Sequence, residues 1–463
     1  MFGKSLYEIK EQLEKKEVSV KEVFQYFIKR IQKYNPSLNA YLTILDDEKQ
    51  KDVNMSGPLA GVPLAIKDNF CTKGVRTTAS AKVLDAFIPP YESTVTRRLK
   101  EAGALMLGKT NMDAWAHGSS TETSDYGPTK NPWDITRAPG GSSGGSASAI
   151  SAYLAPGTIG SETAGSIRQP SSWCGTIGLK PTYGRVSRYG VVAMGSSLDS
   201  PGPIVSTVRD SALLLQLIAG KDPYDATSSS EPVDDYVSYI KKPKKYTIGI
   251  TDAYFEGVDD EVKQKVFDMI EILKKLGHTV KKIDMIHPKY AISVYTIIQR
   301  AEVSSNLARY DGIRYGEDRT VFGNEAKKRI MLGTYTLSHG YYDAYYKKAL
   351  RVRELMNEDF KRVFSEVDFI VAPTTPITAL TIGESAKYPF FGEVMDVLLE
   401  ASSICGIPAI NIPAGLDSKH LPIGVQIMGN YFDEKNILNI AQQIEDETKF
   451  FGILQKGFEK YRD

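Results

Sequence analysis

Cysteine is scarce: the 463 residues hold three, Cys71, Cys174 and Cys405, far apart and in no C-x-x-C pair. An odd, scattered set argues against a disulfide framework and a thiolate metal site, and points to a reducing compartment, the cytoplasm. Charge of either sign is not in excess, since Lys+Arg 57 against Asp+Glu 56 leaves a formal +1. No global field therefore draws the chain onto nucleic acid or an anionic membrane. Long apolar runs are missing too. Nothing approaches the ~18 uninterrupted apolar residues of a membrane span, and the opening MFGKSLYEIKEQLEKKE lacks the h-region of a secretory signal. H-E-x-x-H and short-spaced His/Asp ligand pairs do not occur, which leaves a metal without support. No repeat at a fixed period is present.

What is present is ordinary globular composition, 42% hydrophobic, 10% aromatic and 24% charged, enough for a large core. Ser19 and Glu22 form a capping box, and Val20, Val23, Phe24, Phe27, Ile28 and Ile31 then share one face at helical spacing. Short β-like runs follow at Pro63–Ile66, Ala104–Leu107, Thr247–Ile250, Thr279–Ile286, Phe369–Ala372, Ala409–Ile412 and Gly424–Met428, with helical patterns between several of them. The class is α/β. TIGIT, a helix over Asp259–Leu276 and TVKKIDMI read as one βαβ unit. The polar stretch between Pro223 and Pro243 reads as an exposed excursion or lid. GYYDAYYKKALRVREL reads as an amphipathic helix whose aromatics belong to the core rather than to a base-stacking platform.

Two familiar patterns fail on their context. Gly103 to Thr110 matches the phosphate-loop pattern G-x-x-x-x-G-K-[ST], but its middle residues ALML form the apolar run of a strand, with Lys109 at the end. Gly140 to Gly144 matches the nucleophile elbow G-x-S-x-G, yet the preceding NPWDITRAP is no buried strand. His278, His287, His339 and His420 lie in ordinary surroundings, where a histidine is structural by default. PGGSSGGSAS itself suits a tight backbone turn inside a core better than a flexible tether, because apolar sequence follows it. A serine-rich region without a histidine base raises the question of what activates a hydroxyl. Lysine serves when burial depresses its pKa. Lys67 ends the apolar strand PLAI, and reads either as such a base or as a strand-end lysine reaching for water.

GVPLAIKDNF, GKTNMDAWAHGSSTETSDYGPTKNPWD, PGGSSGGSASA, GSETAGSIRQPSSWCG and GLKPTYGRVSRYG together resemble the amidase signature family. The likeness runs on through GNEAKKRIMLGTYTLSHGYYDAYYKKA and APTTP to GIPAINIPAG and LPIGVQIMG, nearly the whole chain. It implies a Ser-Ser-Lys triad, with Ser166 as nucleophile, Ser142 as bridging serine behind a non-proline cis peptide, and Lys67 as base. It implies an oxyanion site of backbone N–H groups from Thr163, Ala164, Gly165 and Ser166. For a free glutamine it points to Arg329 and Asp396 as partners of the carboxylate and the amino group, with Ser119 and Tyr295 in the same pocket. Densest is the likeness to glutaminase subunits of tRNA-dependent amidotransferases. That implies ammonia passed to a tRNA-binding partner subunit using ATP and Mg, a small third subunit, misacylated tRNA met only through the complex, and no cofactor in this chain.

The expected architecture is one α/β domain over residues 1–463, a central mixed sheet covered on both sides by helices, with residues 1–50 a helical segment packed on the body. Two stretches depart from the family's usual pattern. Glu162-Thr163-Ala164-Gly165-Ser166 stands where Asp-Thr-Gly-Gly-Ser is common, and Asp113-Ala114-Trp115-Ala116-His117-Gly118 where Asp-Glu-Phe-Ala-Met-Gly is common. The segment from Tyr315 to Gly323 looks shorter than usual. A free-standing amidase for a small carboxamide, and a scaffold disabled by Ala164, are the rival readings.

Overall fold

Hydrophobic alternation along the central strands dictates two covered faces. In Phe369–Pro373, Phe369 and Val371 enter one apolar cluster while Ile370 and Ala372 enter another, as the period of two requires. The computed structural model describes residues 2–46, 53–313, 316–388 and 391–462; residues 1 and 47–50 of the expected N-terminal segment lie outside them, as does Tyr315. Among these residues eleven strands form one mixed sheet. They are β1 (Tyr41–Ile44), β2 (Pro63–Lys67), β3 (Leu105–Thr110), β4 (Gly157–Glu162), β5 (Ile177–Lys180), β6 (Ser200–Val205), β7 (Thr247–Ile250), β8 (Thr279–Lys282), β9 (Phe369–Pro373), β10 (Ala409–Leu416) and β11 (Pro422–Gly429). Their spatial order is β1-β3-β2-β4-β6-β5-β10-β11-β9-β7-β8. β2 lies parallel to β3 and β4, and β7 parallel to β8 and β9; the remaining pairs are antiparallel.

The α/β class and all seven expected strands are present, and the phosphate-loop decoy is strand β3, buried throughout. Lys109 is not phosphate-facing: its ammonium donates to the Phe70 carbonyl at 2.7 Å and to Thr77 Oγ1 at 2.8 Å. β7, the helix Asp260–Lys275 and β8 make the expected βαβ unit. β8 stops at Lys282, short of Ile286, whose N–H donates to Asp359 Oδ2 at 2.6 Å instead of to a strand. β1, β4, β5 and β6 were not foreseen, for compositional reasons. SPGPIV carries two prolines, which argue against a central strand. Here β5 pairs only with Ile204 and Val205, so Pro201 and Pro203 lie beyond that ladder.

Two further expectations are corrected. The stretch from Pro223 to Pro243 is the largely exposed excursion expected, but it is anchored by buried Asp225, Ser228, Tyr236 and Ile240 and is not a free lid. Asp225 Oδ2 accepts from the Arg188 N–H at 2.8 Å, and the preceding Asp222 is buried and accepts from the Thr94 and Ser187 hydroxyls. Tyr341, Tyr342 and Tyr345 are exposed rather than core: they lie at a π-helical turn over Tyr342–Tyr346 that precedes the helix Lys347–Phe364, where Tyr341 packs on Tyr335 and Tyr345, and Tyr342 on Tyr346.

The capping box at Ser19 opens the helix Val20–Leu38, which buries Val23, Phe24, Phe27, Ile28 and Ile31. The same helix turns Arg30 inward. Its Nε donates to the Tyr153 carbonyl at 2.8 Å, and Nη2 to those of Ala152 and Tyr461 at 3.1 and 2.9 Å. One guanidinium thus ties the N-terminal helix to the chain after the helix Gly144–Ser151 and to the C-terminus. Arg30→Met keeps the stem but strands these buried carbonyls, and is expected to lower unfolding free energy by about 2–4 kcal/mol in urea titration.

Candidate active site

The Gly/Ser tract is an interior turn because its neighbours leave no room for side chains. A Cβ on Gly145 would stand 2.4 Å from the Asn111 carbonyl oxygen and 2.6 Å from that of Ala40. Gly140, at φ +86°, would meet Gln169 Oε1 at 2.4 Å. All eight residues of the helix Gly144–Ser151 are buried, so a tether is ruled out. The Gly141–Ser142 peptide is cis, as the family resemblance implies. Gln169 Oε1 accepts from Gly141 N–H at 2.7 Å, and the Ser142 carbonyl accepts from Asp113 N–H at 3.3 Å.

Strand β2 delivers Lys67 to this turn. The ammonium is wholly buried and donates to Ser142 Oγ at 2.7 Å and to the Ser161 carbonyl at 3.0 Å. Burial pushes its pKa down to about 7, against the pull of Asp113, Asp199 and Glu162. Of the two readings of Lys67, the water-seeking one is therefore excluded. Among the described residues the side-chain partner of Ser142 Oγ is Lys67 and not a histidine, which disposes of the elbow with its His partner. His278 Nδ1 accepts from the Tyr246 N–H, and His287 pairs with Glu256.

Between β4 and the helix Arg168–Cys174 the chain makes the turn Thr163–Ile167. Its carbonyls are held. Ala164 O accepts from Arg168 Nη2 at 3.2 Å and from Ser403, Gly165 O from Gln169 N–H at 2.7 Å, and Ser166 O from Ser143 N–H at 3.2 Å. That last bond joins the turn to the residue following Ser142. Glu162 spans the turn: Oε2 accepts from the N–H groups of Ile167 and Arg168 at 2.9 and 3.0 Å, and Oε1 from Arg168 Nε and Nη2 at 2.8 and 2.6 Å. Arg168 reaches on to Ser402, Gln426 and the Leu399 carbonyl. Both members of the pair are fully buried.

Beside the turn, Ser166 lines a small chamber of about 10 Å³ together with Ser119, Tyr295, Arg329 and Asp396. All four predicted pocket residues are thus brought to the predicted nucleophile. Asp396 Oδ2 accepts from Ser119 Oγ at 2.8 Å, while Oδ1 is buried without a hydrogen bond. Burial pushes the Asp396 carboxyl up to about 8. Gly165 has no alternative here, since a Cβ would lie 2.4 Å from Asp396 Oδ1. Arg329 is buried on the helix Asn324–Thr336 and donates through Nε to Glu325 at 2.7 Å. A vestibule of about 390 Å³ adjoins the chamber and shares Gly118, Ser119, Arg329, Gly392 and Glu393 with it.

The model of the family described as Amidase matches residues 22–438. The chain belongs to the amidase family. Relatives of this amidase include the A-type subunits of the glutamyl-tRNA(Gln) amidotransferases of Halothermothrix orenii and Carboxydothermus hydrogenoformans, each 49% identical over 96% of this chain and 97% of theirs. The solved glutamyl-tRNA(Gln) amidotransferase chain of the same type from Thermotoga maritima superposes with a TM-score of 0.85 at 39% identity, covering 96% of this chain and 94% of that one. A 6-aminohexanoate cyclic dimer hydrolase gives 0.88 at 26% identity, over 96% and 97%.

The departures in this amidase now have a physical reading. Glu162 uses its length to reach two N–H groups and the Arg168 fork, and the Ala164 methyl is buried in the apolar cluster that holds Met194 and Ile298. Trp115 and Ala116 adopt φ of +60° and +64°, with the indole stacked on Phe322 at 5.4 Å. His117 is buried with neither ring nitrogen hydrogen-bonded, and burial holds it neutral. Sequence reasoning missed Arg168, Asp113, Gln169 and Glu393. Only the placement of charged residues inside a Gly/Ser-rich stretch, as with Arg168, could have flagged them. Arg168→Met is expected to cost about 3–5 kcal/mol of stability by leaving the Glu162 carboxylate buried and uncompensated, read as a lowered midpoint in denaturant.

Proposed function

We propose that this amidase is the glutamine-hydrolysing subunit of a tRNA-dependent amidotransferase of the cytoplasm. The observation that carries this reading is the chamber where Ser166 meets one cation, Arg329, and one acid, Asp396, whose Oδ1 has no hydrogen bond, with the Lys67–Ser142 hydrogen bond in the adjoining turn. A free amino acid needs both charges, and arginine offers its carboxylate a two-pronged grip. The full-length relatives named above agree with it.

In this reading neutral Lys67 takes the proton of Ser142, Ser142 takes that of Ser166, and Ser166 Oγ bonds to the side-chain amide carbon of glutamine. The oxyanion is received by N–H groups of Thr163, Ala164, Gly165 and Ser166, whose turn is fixed beforehand by its bonded carbonyls. The proton returns through Ser142 to the amide nitrogen, the C–N bond breaks and ammonia leaves. Water then cleaves the glutamyl ester, releasing glutamate and restoring Ser166. Tyr295 and Ser119 wall the pocket, and Ser119 orients Asp396. A chamber of about 10 Å³ holds little more than a water, so glutamine enters as the shared wall at Gly392 and Glu393 gives way. Ammonia is consumed on a tRNA-binding partner subunit that uses ATP and Mg to activate the carboxylate of Glu-tRNA(Gln), or of Asp-tRNA(Asn); a small third subunit braces the pair.

The test is ammonia release from glutamine by the purified chain, alone and co-expressed with its partner subunits. Hydrolysis that rises with partners, misacylated tRNA and ATP is expected, with Ser166→Ala lowering kcat by about 1,000-fold or more. Arg329→Ala is expected to lower kcat/KM for glutamine about 100-fold and to spare a simple carboxamide. Glutamine inert in every combination, with a carboxamide cleaved through Ser166, would leave a free-standing amidase instead.

The pH profile follows from the two shifted groups. Lys67 works as the free base, so kcat is expected to rise with pH through a midpoint of about 7. Asp396 alone holds its proton up to about 8 and gives it up to pair with the substrate ammonium. Below that pH, glutamine binding to Ser166→Ala is therefore expected to release a proton, read by calorimetry in buffers of differing ionisation enthalpy. Proton-neutral binding would remove Asp396 from the ammonium site.

A further inference from the structure

The segment Asp113–Gly118 carries a histidine where the family commonly has methionine, and two unfavourable backbone conformations lead into it. Trp115 and Ala116 both lie in the left-handed region, at φ +60° and +64°. Residues other than glycine adopt it only where the surroundings enforce it, and such positions cluster at functional sites. Ala116 and Gly118 line the chamber that holds Ser166, while His117 between them lines the adjoining vestibule of about 390 Å³. His117 thus stands at the boundary of the two cavities.

The side chain is 1% exposed, and neither Nδ1 nor Nε2 has a hydrogen bond. Burial, reinforced by the Arg329 charge, holds the ring neutral, so it carries one N–H donor and one bare nitrogen. A buried polar group without partners is costly and calls for an explanation. Packing does not supply one, since a thioether of similar size fills the same space with no N–H to strand. Nor do the acids of the vestibule. Glu325 is bonded to Arg329, Glu393 to Arg300, and Glu122 accepts from the Gly383 N–H.

The acceptor that is missing therefore arrives with a ligand, and Arg329 indicates its kind. This guanidinium lines both cavities, and its Nε is taken by Glu325, which leaves the two Nη groups for a carboxylate. Each carboxylate oxygen has two lone-pair sites, so an oxygen held by Arg329 can accept a further N–H from the vestibule side. We infer that His117 is a specificity-determining residue that donates its ring N–H to the α-carboxylate of the substrate, beside Arg329. The inference rests on the glutamine reading above. A substrate that lacks the carboxylate strands the imidazole again, and the site discriminates against it for that reason.

The test compares wild type, His117→Met and His117→Gln, each assembled with the partner subunits, on glutamine and on γ-aminobutyramide, which has the same amide and ammonium but no carboxylate. His117→Met is expected to raise KM for glutamine about 10- to 100-fold with kcat within about twofold, and to lower the preference for glutamine over γ-aminobutyramide by a similar factor. His117→Gln keeps an N–H donor and is expected to recover most of that loss. A second readout needs no variant at 117. In Ser166→Ala with isotope-labelled histidine ring nitrogens, the other four histidines are assigned by replacing His278, His287, His339 and His420 one at a time. The His117 N–H resonance is expected to move downfield with glutamine and to stay in place with γ-aminobutyramide. Four results each overturn the assignment and leave the glutaminase reading intact: an unchanged KM, equal losses on both amides, His117→Gln no better than His117→Met, or an unmoved resonance with glutamine bound. Glutamine that neither binds Ser166→Ala nor is hydrolysed by wild type, while a carboxamide is cleaved through Ser166, overturns both readings.

Discussion

A lysine ammonium sealed from water is the constraint on which the site is built. Lys67 has no solvent to share its charge, and its two hydrogen bonds run to a serine hydroxyl and a backbone carbonyl. Desolvation alone would drive it fully neutral; the carboxylates of Asp113, Asp199 and Glu162 draw it back, and the balance settles at about 7. Had the lysine ended a strand at the sheet edge, hydration would have kept it near its ordinary value. Its place on β2, flanked by β3 and β4, makes it a base poised at neutral pH, the condition general-base chemistry needs.

The remaining polar interior serves to hold two turns against each other. One is the Gly140–Gly145 turn, packed so closely on Gln169 at Gly140 and on Asn111 and Ala40 at Gly145 that only glycine fits at those two positions. The other is Thr163–Ile167, clasped by Glu162 and Arg168. A buried ion pair is poor evidence for net stability, because desolvating both charges costs as much as they regain. This pair instead fixes where the Ile167 and Arg168 N–H groups and the Ala164 carbonyl point, and a fixed turn can greet a developing negative charge without reorganising.

The helix Asn324–Thr336 joins the site to the surface. Its buried Arg329 and its exposed Met331 are two residues apart on one helix.

The sequence by itself determined the α/β class, the βαβ unit at β7 and β8 and the capped helix at Ser19, whereas the candidate triad and pocket residues were implied only by the resemblance to the amidase signature family. Those signals are local: period, caps and spacing are set by neighbours along the chain. It misjudged GYYDAYY as core, since amphipathic spacing does not say which face meets protein. It was silent on β4 and β6, whose glycines and prolines resemble turns until β-pairing partners supply the missing context. Only tertiary structure decided that Lys67 is dry, that Glu162 and Arg168 form a pair, and that Asp396 lies opposite Gly165. Burial and electrostatic coupling depend on what the fold packs around each group, as when Gln426 and Ser402 close over Arg168, and no local pattern records that.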